Sequence, residues 1–149
     1  PEPEISESVM TIPGLDGRKM SKNYNNTIPL FLDDKPLRKK IMKIQTDSKG
    51  VDDAKDPDTC PVMQLYRFFA PDEHIIEYEN KYRNGGVGYG EIKEALYESI
   101  RDHFLDSTQR YNELIANPST ISDFLENGAN TARDYAQKTL DSVKSAIGI

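Results

Sequence analysis

The chain has 149 residues, enough for one domain with a hydrophobic core, and one domain is what this length predicts. A formal net charge of −6 argues against nonspecific nucleic-acid binding, because neutralising phosphates requires clustered cations. Cys60 is the single cysteine, which excludes an intrachain disulfide, and the apolar runs are too short to predict a membrane span.

The charge is unevenly distributed. Residues 14–46 carry eight basic and three acidic side chains, a net +5, whereas the rest of the chain carries 11 basic and 22 acidic ones, a net −11. Chemistry on a polyanion is therefore predicted for the first third of the chain, and any RNA contact of the remainder is expected to be local.

Residues 1–34 are predicted to be extended and loop, with a short β-like run at residues 8–12, because four prolines interrupt them. A helix of about ten residues is predicted near Pro36, with an apolar stripe formed by Leu37, Ile41 and Ile44. Its opposite face is basic; such a face is more often simply solvated than a binding surface.

Residues 47–61 are predicted to be a flexible polar loop, because they are rich in Asp, Lys and Pro. Their aspartates could suggest a calcium site, but they lack the spacing of an EF-hand. Helices are then predicted at residues 62–69 and from Pro71 to the glycines at 85 and 86. The glycine-rich run 85–90 is interpreted as a helix–helix connection, since neither the Walker nor the Rossmann context surrounds it.

Two long helices complete the prediction. The first has an apolar stripe over residues 92–115 and a kink near Ser107; the second has a stripe over residues 121–143 and a bend or break at residues 127–128. The predicted fold class is all-α, a helical bundle preceded by an extended loop segment, in which the stripes at 37–44, 92–115 and 121–143 bury one another.

The motif with the clearest chemistry is a near-complete KMSKS signature, formed by Lys19, Met20, Ser21, Lys22 and Asn23. Two ammonium groups three residues apart, near glycines that let backbone N–H groups approach a ligand, suit the charge of a triphosphate. Such a loop could grip ATP phosphates and stabilise the charge that develops as pyrophosphate leaves. The alternative interpretation is a solvated Lys/Ser turn.

The residues around this motif resemble class I aminoacyl-tRNA synthetases, and among them tryptophanyl-tRNA synthetases. The motif is followed, as in that family, by Tyr24, Asn25, Asn26, Thr27 and Ile28. Further similar blocks follow in the family's order, namely Lys-Ile-Met-Lys-Ile-Gln-Thr-Asp at 40–47, Tyr-Gly-Glu-Ile-Lys at 89–93, and the segments 128–133 and 146–149. Asn23 replaces the family's final serine, and an amide can still donate to a phosphate oxygen.

The resemblance implies the C-terminal part of an enzyme that activates tryptophan with ATP and ligates it to its tRNA. Residues 1–34 would end the catalytic domain, and residues 35–149 would form the helical anticodon-binding domain. Lys19 and Lys22 would be catalytic, and residues 19–23 would bind the ATP phosphates, with Mg²⁺ on those phosphates. The family further implies a cytoplasmic homodimer with no membrane association.

Some expected parts have no counterpart in these residues. The nucleotide-binding sheet and the HIGH-type motif are missing, so the tryptophan pocket should lie outside this chain, which is expected to be inactive alone. With no sheet to rest on, residues 1–33 are expected to be poorly fixed. No protein metal site is predicted, because His74 and His103 lack partners at ligand spacing. The alternatives are a tyrosyl-tRNA synthetase fragment and a non-enzymatic helical interaction module.

Overall fold

The structure is a computed structural model that describes residues 11–149. Within that range the chain forms a short 3₁₀ helix at Lys22–Tyr24 and six α-helices, listed here in chain order: α1 Asp34–Ile41, α2 Pro61–Tyr66, α3 Asp72–Asn84, α4 Tyr89–His103, α5 Leu105–Ala116 and α6 Pro118–Ile147. The only extended pairing among residues 11–149 is an isolated antiparallel bridge between Pro13 and Lys19. The all-α prediction is thus confirmed; the proposed β-like run at 8–12 lies largely outside the described residues.

The chain divides into two compact units, one ending at Ser107 and the other spanning Thr108–Ile149. The first contains α1 to α4, the loops between them and the 3₁₀ helix. The second contains α6 and most of α5. The boundary near residue 34, which the sequence suggests between catalytic and helical domains, stays a prediction.

The core of the first unit lies where α4 packs against α1 and α2. The predicted stripe on α1 is confirmed, because Leu37, Ile41 and the following Ile44 are all buried. Helix α4 contributes the opposite wall, and α2 fills the space beside it with an almost wholly buried turn. The remaining core side chains are Cys60, Val62, Met63, Leu65, Tyr66, Tyr82, Val87, Ile92, Leu96, Tyr97 and Ile100.

Prolines and one glycine fix where these helices begin and end. Pro61 and Pro118 lie in the first turn of α2 and α6, where a missing N–H costs nothing. Gly85 ends α3 with a positive φ of 80°, and a Cβ there would lie 2.3 Å from the carbonyl oxygen of Asp52. Glycine is therefore required at this position both for its backbone conformation and for the close approach of the preceding loop.

The loop between α1 and α2, expected to be flexible, is held by a buried lysine. Lys55 is 3% exposed, and its ammonium group donates to the carbonyl oxygens of Gly50, Val51 and Asp53. Its backbone N–H donates to the carbonyl oxygen of Tyr82, which joins the loop to α3 at 2.6 Å. Buried charges persist only when hydrogen-bonded, and this arrangement satisfies all three ammonium hydrogens with backbone oxygens.

The long helices differ from the predictions in two places. The kink expected near Ser107 is a break at Phe104, which separates α4 from α5. A bend or break was expected at residues 127–128; the helix is not broken there, and α6 runs continuously from Pro118 to Ile147. One interior glycine costs about 1 kcal/mol in a helix, which thirty residues of otherwise helix-compatible sequence can absorb.

The apolar stripe of α6 was expected to be buried, and this prediction is wrong for the structure described. Neither α5 nor α6 has a buried residue, and Phe124, Leu125 and Tyr135 are each more than 60% exposed. A helix buries its apolar face only against a second layer, and the unit Thr108–Ile149 contains too little chain to supply one. No helix between residues 11 and 149 combines the length and apolar content needed to cross a bilayer.

The packing of α4 leads to a first prediction. Leu96→Ala should lower the free energy of unfolding by about 2–5 kcal/mol, because Leu96 is fully buried and the truncation leaves a cavity. Leu125→Ala, the same change at a position 69% exposed on α6, should change it by less than about 0.5 kcal/mol. Urea unfolding followed at α4 amides measures both. Equal losses in the two variants would contradict the assignment of the core.

A second prediction concerns the start of α4. The Tyr89 hydroxyl donates to Asp47 at 2.6 Å, and this hydrogen bond lowers the pKa of the Asp47 carboxyl below 3.8. The bond thus stabilises the fold at neutral pH, and this contribution is lost as the pH falls through the lowered pKa. In Tyr89→Phe the pKa of Asp47 should rise toward 3.8, as measured by NMR titration. Tyr78→Phe is the control, with Asp47 unchanged.

Candidate functional site

Residues 13–20 form a tight turn that begins the site. The N–H of Gly14 donates to the carbonyl oxygen of Arg18 at 2.7 Å, and the N–H of Met20 donates to that of Ile12 at 2.8 Å. Gly17 lies at the tip with a φ of 77°, a conformation that glycine adopts without strain. The turn places Lys19 and Met20 on the strand-like segment that leaves it.

A 3₁₀ helix follows at once. The Ser21 hydroxyl accepts a hydrogen bond from the backbone N–H of Asn23 at 3.3 Å and so caps the helix Lys22–Tyr24. Asn25 ends it in the left-handed region, with φ 51°, which asparagine tolerates better than most residues. The serine of the motif therefore has a local structural role, and its backbone and side chain set the direction in which Lys22 leaves the loop.

Asn26 lies at the centre of the loop and is only 2% exposed. Its side-chain oxygen accepts from the N–H of Ser21 at 2.8 Å. Its side-chain nitrogen donates to the carboxylate of Asp16 at 2.7 Å and to the carbonyl oxygen of Lys19 at 3.2 Å. Its backbone carbonyl accepts from the N–H of Leu15 at 2.9 Å. One asparagine side chain thus connects two backbone groups of the motif, at Lys19 and Ser21, with the preceding Asp16.

The loop rests on the helical core. The N–H of Gln45 donates to the carbonyl oxygen of Leu15 at 2.8 Å, and the Lys40 ammonium group donates to that of Thr27 at 3.1 Å. Leu15, Ile28 and Leu32 pack against the buried cluster. The expectation that this segment has too few anchors is therefore wrong for the described part, residues 11–33, because these apolar side chains and two hydrogen bonds hold it to the core.

The two motif lysines differ from the neighbouring cations. Arg18 forms an ion pair with Asp16 at 2.5 Å and lies 4.5 Å from the ring centre of Tyr24. The side chains of Lys19 and Lys22 are exposed, and within residues 11–149 neither ammonium group forms an ion pair. Unpaired, preorganised cations on a fixed backbone are what binding a phosphate requires.

Asp16 shows the electrostatic consequence of this arrangement. The hydrogen bond from Asn26 is the largest of several that lower the pKa of its carboxyl, and the guanidinium of Arg18 lowers it further. At neutral pH Asp16 is therefore a carboxylate whose charge is matched by Arg18. Within residues 11–149 the positive charge of Lys19 and Lys22 is not matched by an ion pair.

The basic face predicted on α1 is partly used within the fold. Arg38 forms a two-oxygen hydrogen bond with Glu94 of α4, at 2.8 and 2.9 Å. Lys40 is engaged with the loop, so Lys39 and Lys43 are the exposed cations of this face that form no ion pair within residues 11–149. The face is therefore smaller than the sequence suggests.

The structure places the five predicted residues, 19–23, on one continuous segment that leaves the turn and enters the 3₁₀ helix. Asp16 and Asn26 are the residues that support this segment. Sequence reasoning missed Asp16 and Asn26 as part of this unit. Three or more His, Cys, Asp or Glu side chains suitable for a metal ion do not come together anywhere in residues 11–149. His103 instead packs edge-on against Phe69 and Phe104.

Known proteins are similar to this chain over most or all of its length. The sequence model of the family "tRNA synthetases class I (W and Y)" matches residues 3–105. A tryptophan–tRNA ligase of Rhodopirellula baltica is 43% identical over 138 residues, covering 93% of this chain and 43% of that protein. A tryptophan–tRNA ligase of Campylobacter jejuni is 37% identical over the whole chain and 47% of its own length.

A solved structure agrees with these sequences. The crystal structure of the tryptophanyl-tRNA synthetase of Campylobacter jejuni, complexed with ADP and tryptophan, matches with a TM-score of 0.89 at 36% identity. The match covers 98% of this chain and 46% of that one, so the chain spans less than half the length of these relatives. The resemblance inferred from the motif is confirmed: the chain belongs to the class I tRNA synthetases of the tryptophan and tyrosine family.

Proposed function

We propose that this chain is the C-terminal part of a tryptophan–tRNA ligase. In this proposal residues 1–34 end a catalytic domain whose nucleotide-binding part and tryptophan pocket lie outside the chain, and residues 35–149 bind the tRNA. The identity to tryptophan–tRNA ligases across the full length supports it. It favours tryptophan over the tyrosine branch of the family, and the family match disfavours a non-enzymatic module.

The observation that carries the proposal is the pair of unpaired lysines on a fixed loop. Activation joins the carboxylate of tryptophan to the α-phosphate of ATP and releases pyrophosphate, so negative charge builds on the leaving phosphates. Lys19 and Lys22 would stabilise that charge, and the backbone and side chains of Met20, Ser21 and Asn23 would complete the phosphate site. The relative solved with ADP and tryptophan supports an adenine nucleotide as the ligand.

Other parts of the proposal follow from the family. Mg²⁺ would accompany the ATP phosphates, where it neutralises charge and keeps most of its water ligands. The tRNA would meet the helical part, through local contacts because that part is acidic overall. A cytoplasmic homodimer is proposed for the complete enzyme.

The third prediction tests the lysines in the full-length enzyme. Lys22→Ala should slow tryptophan-dependent pyrophosphate exchange about a hundredfold or more, the scale for losing one preorganised charge donor. Lys19→Ala should have a similar or smaller effect, and tryptophan affinity should hardly change. Lys35→Ala is the matched control, because Lys35 is an exposed lysine at the start of α1, outside the loop. Normal exchange in Lys22→Ala would refute the assigned role.

The fourth prediction concerns the 149-residue chain alone. It should unfold cooperatively through the core of α1, α2 and α4, yet form no charged tRNA when mixed with tryptophan, ATP and the matching tRNA. Holding the reactants in one geometry accounts for roughly 7–11 kcal/mol of such a barrier, and a loop without a pocket supplies little of that. Weak, salt-sensitive shifts of the Lys19 and Lys22 amide signals on adding pyrophosphate are expected. Measurable charging of the tRNA by this chain alone would contradict the proposal that the tryptophan pocket lies outside it.

A further inference from the structure

We propose that Asn26 is the positioning residue of the phosphate loop, the segment that carries the motif residues 19–23. Its buried carboxamide fixes the relative placement of Lys19 and Lys22. The inference rests on the function proposed above for the two lysines. Asn26 would not touch ATP. It would act through the backbone on either side of Met20.

The contacts of Asn26 place it where it can control both lysines. Its carboxamide bonds the carbonyl oxygen of Lys19 on one side and the N–H of Ser21 on the other, so it spans residue 20. Ser21 in turn caps the 3₁₀ helix that begins with Lys22. The chain from one ammonium group to the other therefore passes through two backbone points held by a single buried side chain.

The chemistry of this position selects asparagine. The site requires one acceptor and two donated hydrogen bonds from the same short group, which an amide supplies and a carboxylate cannot. Aspartate would lose both donated bonds and would face the carboxylate of Asp16. Glutamine would need extra space, but a Cβ on Gly14 would already lie 2.4 Å from the Asn26 side-chain carbon.

Gly14 provides the space that the Asn26 carboxamide occupies. The carboxamide lies against the Gly14 backbone so closely that any side chain there would overlap it. The glycine of the turn therefore serves the packing of Asn26. A substitution at either position should move the same backbone segment, although the two residues are twelve positions apart.

The expected effect lies in the transition state. Without Asn26 both lysines are still present, but their positions are no longer preorganised for the departing pyrophosphate. A misplacement of about 1 Å can cost on the order of a hundredfold in rate. We expect Asn26→Ala and Asn26→Asp to lower kcat of pyrophosphate exchange tenfold to a hundredfold, with KM for tryptophan changed by less than a factor of about three.

The matched control is Asn25→Gly. Asn25 is the adjacent asparagine, its side chain is exposed, and glycine adopts its positive φ without strain. This variant should keep kcat within a factor of about two. The melting temperature of each variant shows whether the fold persists.

A double-mutant cycle separates positioning from general destabilisation. If Asn26 acts only through the two lysines, adding Asn26→Ala to a variant that already carries Lys19→Ala and Lys22→Ala should hardly slow exchange further. Effects that multiply would overturn the proposal. So would a normal kcat in Asn26→Asp while Lys22→Ala is slow. If the lysine variants are not slow, the proposed function itself fails, whatever Asn26 does.

A measurement on the unmodified chain covers the case in which the Asn26 variants do not fold. The Ser21 amide should exchange with solvent far more slowly than the exposed amide of Lys19 or Lys22, because it donates to the buried Asn26 oxygen. Exchange of the Ser21 amide at the rate of an unprotected residue would refute the contact on which the inference depends.

Discussion

The packing of α4 against α1 and α2 is the interaction on which the rest of the described structure depends. Ile92 and Leu96 are fully buried in this contact, and Ile41 faces them from α1. Burial of each such side chain contributes about 1.5–3 kcal/mol. Helix α1 follows, in the chain, the segment that contains the motif residues 19–23. The contact that forms the core therefore also sets the position of that segment.

The connection from core to loop is short. Gln45 lies one residue after the buried Ile44, and its N–H holds the carbonyl oxygen of Leu15. Lys40, one residue before the buried Ile41, holds the carbonyl oxygen of Thr27. The segment from Leu15 to Thr27 is therefore attached near both of its ends, to Lys40 in α1 and to Gln45 shortly after this helix. The backbone that carries Lys19 and Lys22 is therefore held in place although neither lysine forms an ion pair within residues 11–149.

Charge is partitioned in a consistent manner across the first unit. Arg18, Arg38 and Arg67 each form ion pairs with carboxylates, whereas the motif lysines stay unpaired within the described residues. Arginine suits this structural task because its planar group meets a carboxylate with two hydrogen bonds. Lysine is a compact, mobile cation, which suits a ligand whose charge changes during the reaction. Lys81 is a lysine of this unit that does form ion pairs, with Glu77 and Glu91, so the contrast applies to the motif lysines and not to lysine in general.

Much of the fold could be predicted from local patterns. The stripe at 37–44 and the first part of the stripe at 92–115, as far as Ile100, were identified correctly because helical periodicity is a property of neighbouring residues; the later part, with Tyr111 and Ile115, is exposed. The stripe at 121–143 has the same periodicity but is exposed, since periodicity reports a face that could be buried and says nothing about whether a second layer is present. Helix ends were less predictable: the break at Phe104 has no glycine or proline to mark it.

The sequence by itself determined the helical class, the KMSKS-like motif and the family, because these depend on residue types at short, fixed spacings. Only the tertiary structure decided which polar groups meet. Asn26 reaches back ten residues to Asp16, and Arg38 pairs with Glu94 across 56 residues. These partners are chosen by the packing of distant elements, and so the structure alone shows that Arg38 and Lys40 are engaged while Lys19 and Lys22 form no ion pair within residues 11–149.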